Sequence, residues 1–131
     1  MSLLTKPWLR YEVLAVLSRL SDPNLRDHAL RCAHASGDLR AHGQFLLEVL
    51  PSDLSEWLGS FLYDQSEVDA LEKLLITTNE FFDDGRWAGC LIPRLEEPIW
   101  TQLLHDSEAA RTTVIAHGMP AWADAHNYGL R

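Results

Sequence analysis

Across residues 52–82, apolar side chains recur every three or four positions in two successive runs, and each run starts behind a residue able to cap a helix. That spacing lines one flank of a helix, whereas a strand alternates with a period of two. Asp53, with Glu56 three residues on, forms a capping-box arrangement ahead of Leu54, Trp57, Leu58, Phe61 and Leu62, which predicts a helix there. Ser66 is the expected cap of the next and longest helix, on which Val68, Leu71, Leu74, Leu75, Thr78, Phe81 and Phe82 share a face. Asp69 and Lys73 form a four-residue charge pair on its other side. Two such faces in succession require burial against further elements, so a helix-rich domain is expected.

The flanking sequence extends the pattern. Pro7 suits a first helical turn, and Leu9, Val13, Val16, Leu17 and Leu20 follow at helical spacing with Glu12, Ala15 and Arg19 turned away. Asp22-Pro23 supplies a cap for a narrower stripe of Leu25, Ala29, Cys32 and Ala33, ending at Gly37. Residues 38–50 are ambiguous, because Gly43 lowers helical propensity by ~1 kcal/mol and the run from Phe45 to Leu50 also suits a buried strand. Asp83-Asp84-Gly85 reads as a turn, residues 87–92 as a short apolar segment closed by Pro93. Beyond it, one short helix is expected from Glu97-Pro98 through Ile99, Trp100, Leu103 and Leu104. Asp106-Ser107 would cap another, running through Ala110, Val114 and His117 to Gly118. The fold class is therefore mostly α, an irregular bundle of five to six helices in a single domain over residues 1–131, with room for one or two short strands. The alternative is α+β, with residues 44–50 and 87–92 as strands.

A chain of 131 residues can bury most of its apolar surface around one core, and a 47% hydrophobic, 23% charged composition argues against disorder. The formal net charge of −8 opposes phosphate backbones and anionic lipid headgroups, so neither a nucleic acid nor a membrane is the expected partner. A basic protein is. No run of ~18 uninterrupted apolar residues occurs, and charged residues interrupt the first twenty or so, so neither a membrane span nor a leader is expected. Cys32 and Cys90 stand alone, without metal-type spacing, which fits a reducing compartment and a cytoplasmic location.

No arrangement that names a reaction stands out. His28 and Cys32 share a helical face, with Asp27 and His34 nearby, but a pair four residues apart makes only half a tetrahedral site and His34 points elsewhere. A small core thiol and a surface histidine are the simpler reading, and no metal or other cofactor is predicted. His42, His105, His117 and His126 are scattered, and a catalytic histidine needs a partner that only the fold can bring to it. Adjacent His105 and Asp106 do not face one another on a helix, and Asp106 reads better as a cap. Asp83 with Asp84, or Glu96 with Glu97, could in principle pair carboxylates for a cation or for acid–base work, but Asp-Asp-Gly after a helix reads as a solvated turn, and phosphate loops, nucleophile elbows and zinc-binding helix motifs are missing from the sequence. Among five tryptophans, Trp57 belongs to an apolar stripe, whereas Trp87 and Trp122 lie in loop-like surroundings. With Asp83, Asp84 and Arg86, they form the predicted partner-binding surface.

Trp57-Leu58-Gly59-Ser60-Phe61-Leu62 followed by Glu67-Val68-Asp69-Ala70-Leu71, together with Glu12-Val13-Leu14 and Leu20-Ser21-Asp22-Pro23, resembles a family of small uncharacterised actinobacterial-type proteins. These segments cover about a third of the chain and consist of apolar and capping residues. The resemblance implies short strands over residues 26–47, where this chain departs from the family pattern, and it brings no activity or site residue with it. Two function classes follow. One is a non-catalytic interaction module, like an immunity protein or an adaptor, with a homodimer as one mode of assembly. The other is a small enzyme or ligand-binding domain with a histidine–carboxylate site assembled from distant positions.

Overall fold

A computed structural model describes residues 4–24, 41–82 and 98–121. These residues are mostly helical, and no strand occurs among them. Three helices carry the architecture: α1 (Pro7–Leu20), α2 (Gln65–Phe82) and α3 (Pro98–His117). None of the described helices is long and apolar enough to cross a membrane.

Helix α1 follows its stripe. Leu9, Val13, Val16, Leu17 and Leu20 are buried while Glu12, Ala15 and Arg19 face solvent. Helix α2 buries Val68, Leu71, Leu74 and Phe81, and α3 buries Trp100, Leu103, Ala110 and Val114, all in one core. Phe81 and Trp100 meet with ring centroids 5.9 Å apart and planes tilted by 52°. Helix α3 packs against both other helices. Glu67 meets His117 and Thr77 meets Asp106, so α2 and α3 run antiparallel. Arg10 meets Val114 and Gly118 while Ser18 meets Arg111, which sets α1 antiparallel to α3 as well.

Four expectations change. The two short helices expected on either side of Asp106-Ser107 are one continuous helix, α3. Asp and Ser each cost only about 0.5 kcal/mol in a helix interior, whereas burying a Leu or Trp stabilises by roughly 1.5–3 kcal/mol, so the stripe of Trp100, Leu103, Ala110 and Val114 carries the helix through. Ser107 settles inside it by donating to the Leu103 carbonyl at 2.7 Å.

The helix expected from Asp53 to Leu62 is instead a single 3-10 turn, Leu54–Glu56, followed by a reversal at Gly59 with φ +79°. Asp53 does cap, but its carboxylate accepts from the Ser55 N–H and hydroxyl rather than completing a box with Glu56, which holds the carboxyl below its usual range. The loop's backbone is engaged elsewhere: the Gly59 and Ser60 carbonyls accept from the N–H groups of Thr5 and Lys6, and the Phe61 carbonyl from Arg10. Trp57, Phe61 and Leu62 are still buried, through a compact loop closed by an isolated bridge between Leu58 and Leu62.

Residues 44–50 are not a strand. Residues 41–44 are α-helical and Phe45–Val49 form a π-helical turn, with Leu46 and Leu50 buried and Leu47, Glu48 and Val49 exposed. Burial four residues apart is the signature of a helical face, not of alternation. Finally, α2 is capped by Asp64 rather than Ser66, since Asp64 accepts from the Glu67 N–H at 3.2 Å and from the Ser66 hydroxyl at 2.7 Å. The expected helix over residues 22–37 and the second strand candidate, 87–92, lie outside the described residues, apart from an Asx turn in which Asp22 accepts from the Asn24 N–H. Among the described residues, merging two expected helices into α3 and reducing another to a turn leaves three long helices.

Candidate functional site

The chemistry of the described chain converges where the start of α2 meets the end of α3. Glu67 is in the first turn of α2, where the positive end of the helix dipole favours a carboxylate. Helix α3 ends at His117, and Gly118 reverses the chain with φ +87° in the left-handed conformation open to glycine, leaving carbonyls of the last turn without helical partners. Arg10, fully buried on α1, reaches into the gap between these two ends.

The pairing is complete on both sides. Arg10 Nε donates to the Gly118 carbonyl at 3.1 Å. Nη1 donates to Glu67 Oε1 at 2.8 Å and to the Phe61 carbonyl at 3.1 Å, while Nη2 donates to Glu67 Oε2 at 2.8 Å and to the Val114 carbonyl at 3.0 Å. A guanidinium has five N–H groups, and all five are used. The Tyr63 ring stacks on the same guanidinium, 4.3 Å from ring centroid to Cζ. Each Glu67 oxygen accepts twice: Oε1 also from the Tyr63 N–H at 2.8 Å, and Oε2 also from His117 Nδ1 at 2.7 Å. Burial pushes the Glu67 carboxyl up, but the bonds from Arg10, Tyr63 and His117 and the guanidinium charge outweigh it and hold the group below its ordinary value.

The outer edge of the cluster is wetter. His117 Nε2 lies 3.2 Å from Asp64 Oδ2, and both side chains are partly exposed. In its protonated form the imidazole donates to both carboxylates at once. The Asp64 carboxyl is held low first by the Ser66 hydroxyl, with the Glu67 N–H and the His117 charge adding to it against a partial desolvation.

Hydrogen-bond order decides what this arrangement can do. In nucleophilic catalysis a hydroxyl faces the histidine and the carboxylate stands behind the ring. Here the Ser66 hydroxyl donates to Asp64, a weak base by virtue of its lowered pKa, and both ring nitrogens of His117 face carboxylates. Metal binding is the other chemistry the residue types suggest. Ligating atoms of Asp64, Glu67 and His117 lie within 4.8 Å of one another, close enough to surround one cation. The donor set does not suit one, because both Glu67 oxygens are held by Arg10 in a bidentate pair and the group caps the positive end of α2. A cation would have to displace a buried guanidinium.

A second buried carboxylate, Asp106, sits midway along the same interface. It accepts from the Thr77 hydroxyl at 2.6 Å and from Gln102 Nε2 at 2.8 Å, with exposed Lys73 3.7 Å away. His105 Nδ1, exposed, is 3.6 Å from Asp106 Oδ1, beyond hydrogen-bond range. The cap role expected of Asp106 is thus replaced by a bond across helices.

Asp83, Asp84, Arg86, Trp87 and Trp122, the predicted partner-binding residues, lie outside the described residues, as do His28, Cys32, His34, Cys90 and His126. Of the described histidines, only His117 joins the cluster. Arg10, Tyr63, Asp64 and Glu67 escaped the sequence reading, although two signals were present. Arg10 stands three and seven residues before Val13 and Leu17, on the buried flank of α1, and Asp64 with Glu67 has capping-box spacing. Comparison with protein-family models, with curated proteins and with solved structures gives no match, so the site is interpreted from its own geometry.

Proposed function

We propose that this chain is a non-catalytic protein-interaction module of the cytoplasm, similar in role to an immunity protein or an adaptor, that engages a basic partner. One observation carries the reading: the most polar cluster of the described residues satisfies itself. Five guanidinium donors and four carboxylate acceptances are used within the chain, leaving a rigid joint between three helices in which Arg10 and Glu67 keep no open valence for substrate. A net charge of −8 then makes electrostatic attraction to a cationic protein the strongest long-range force available.

A cation or small-ligand site is the competing reading, favoured by the proximity of Asp64, Glu67 and His117. Two measurements separate them. Adding Zn²⁺ or Mn²⁺ in excess should leave the thermal midpoint unchanged, whereas a ligand at 100 times its Kd would stabilise by about 2.7 kcal/mol and raise it visibly. Native mass analysis of the full chain purified from its source should show a complex with a second protein. A stoichiometric metal or small molecule retained without any protein would overturn the reading.

A further inference from the structure

We infer that residues 47–58 form the docking surface of this module, and that its occupant is a basic segment of another protein carrying its own apolar side chains. The inference rests on the interaction reading above and locates it. Among the described residues six large apolar side chains are exposed, and four of them, Leu47, Val49, Leu54 and Leu58, fall in this one short stretch. The other two, Ile76 and Ile115, lie singly on α2 and α3, as isolated surface apolar residues commonly do.

The stretch is held out rather than loose. Leu46 and Leu50 anchor it from beneath, and Trp57, 1% exposed, anchors its far end. The Trp57 indole N–H donates to the Pro51 carbonyl at 2.6 Å, closing the intervening residues into a tight loop with Asp53, Leu54, Ser55 and Glu56 on its outside. The anchors in the common core and this internal bond present the apolar tips on a fixed frame, which lowers the ordering cost of binding.

Charge selects the occupant. From Ala41 to Glu72 the chain has seven carboxylates and not one Lys or Arg, and Glu48, Asp53 and Glu56 stand exposed among the four apolar tips. Apolar centres rimmed by carboxylates match a segment in which leucine-like side chains are flanked by Lys or Arg. The same rim repels phosphate and anionic lipid, and it repels an identical face of a second copy.

The test uses the intact chain, a synthetic amphipathic Lys/Leu peptide and its Glu/Leu counterpart, followed by amide chemical shifts and by calorimetry. The Lys/Leu peptide is expected to shift amides of residues 47–58, to bind more weakly as salt rises, and to lose roughly tenfold or more in affinity with Leu54→Ser/Leu58→Ser or with Asp53→Asn/Glu56→Gln. Ile76→Ser and Ile115→Ser should bind as the parent does, and because all these side chains are exposed, circular dichroism should show every variant folded. Equal binding of the two peptides, shifts centred elsewhere, or loss of self-association rather than of peptide binding in the Leu variants would overturn the surface. A partner complex from the source with its footprint outside residues 47–58 would sink this surface and leave the interaction reading standing; a retained small molecule with no protein would sink both.

Discussion

Glu67 and Asp106 are both buried carboxylates on the α2–α3 interface, yet they are solved differently. Glu67 meets a buried guanidinium bidentately, a backbone N–H and an imidazole, and so ties α1, α2, α3 and the loop before α2 into one joint. Asp106 meets a neutral hydroxyl, a neighbouring amide on its own helix and an exposed lysine, and joins α2 to α3 only. A buried charge is tolerable when its field is cancelled by an equally buried partner or softened by several weaker donors nearer water. The first solution makes a multi-way joint whose members depend on one another, the second a pairwise link whose loss stays local.

The largest expected effect tests that dependence. Glu67→Gln leaves Arg10 buried without its counter-charge and turns an amide N–H toward other donors, which should cost about 3–5 kcal/mol by chemical denaturation. Thr77→Val removes one donor from Asp106 in a site that keeps Gln102 and should cost about 1–3 kcal/mol; a loss as large as that of Glu67→Gln would erase the distinction between the two carboxylates. Smallest of all, Lys73→Met is expected to change stability by less than about 0.5 kcal/mol, since the lysine is exposed and the gap to Asp106 is wide.

Acid should sharpen the same contrast. The folded-state pKa of Glu67 is depressed, so its contribution is fully present above its ordinary value of 4.5 and is lost as pH falls through the lower folded value. Denaturation midpoints measured from neutral pH downward should therefore stay level to about 5 and then drop. The drop should be shallower in Glu67→Gln. An unchanged acid slope in that variant would mean that Glu67 is not ionised in the folded protein.

What sequence could and could not supply follows from the same physics. Helices α1 and α2 were legible because their faces are set by local periodicity, and Trp57 was recognisable as core from its stripe. The loop over 54–62 was misread because its capping and spacing signals are local, whereas its backbone carbonyls are claimed by Thr5, Lys6 and Arg10 from far along the chain. The continuity of α3 was missed for a related reason: Asp106-Ser107 resembles a cap until Thr77, twenty-nine residues away, turns Asp106 into a buried acceptor. The joint itself needed Arg10 to be seen as a core residue, and an arginine is rarely buried unless paired; here its acceptors come from Phe61, Glu67, Val114 and Gly118, which no local pattern reveals.

The claim beneath all of this is that Arg10 and Glu67 form a structural unit. A double-mutant cycle on Arg10→Met, Glu67→Met and the two combined, each measured by equilibrium denaturation, addresses it directly. The double variant is expected to lose less than the sum of the single losses by roughly 1–3 kcal/mol, because removing both charges leaves neither one stranded. Losses that add to within about 0.5 kcal/mol would contradict the account, since independent side chains behave that way.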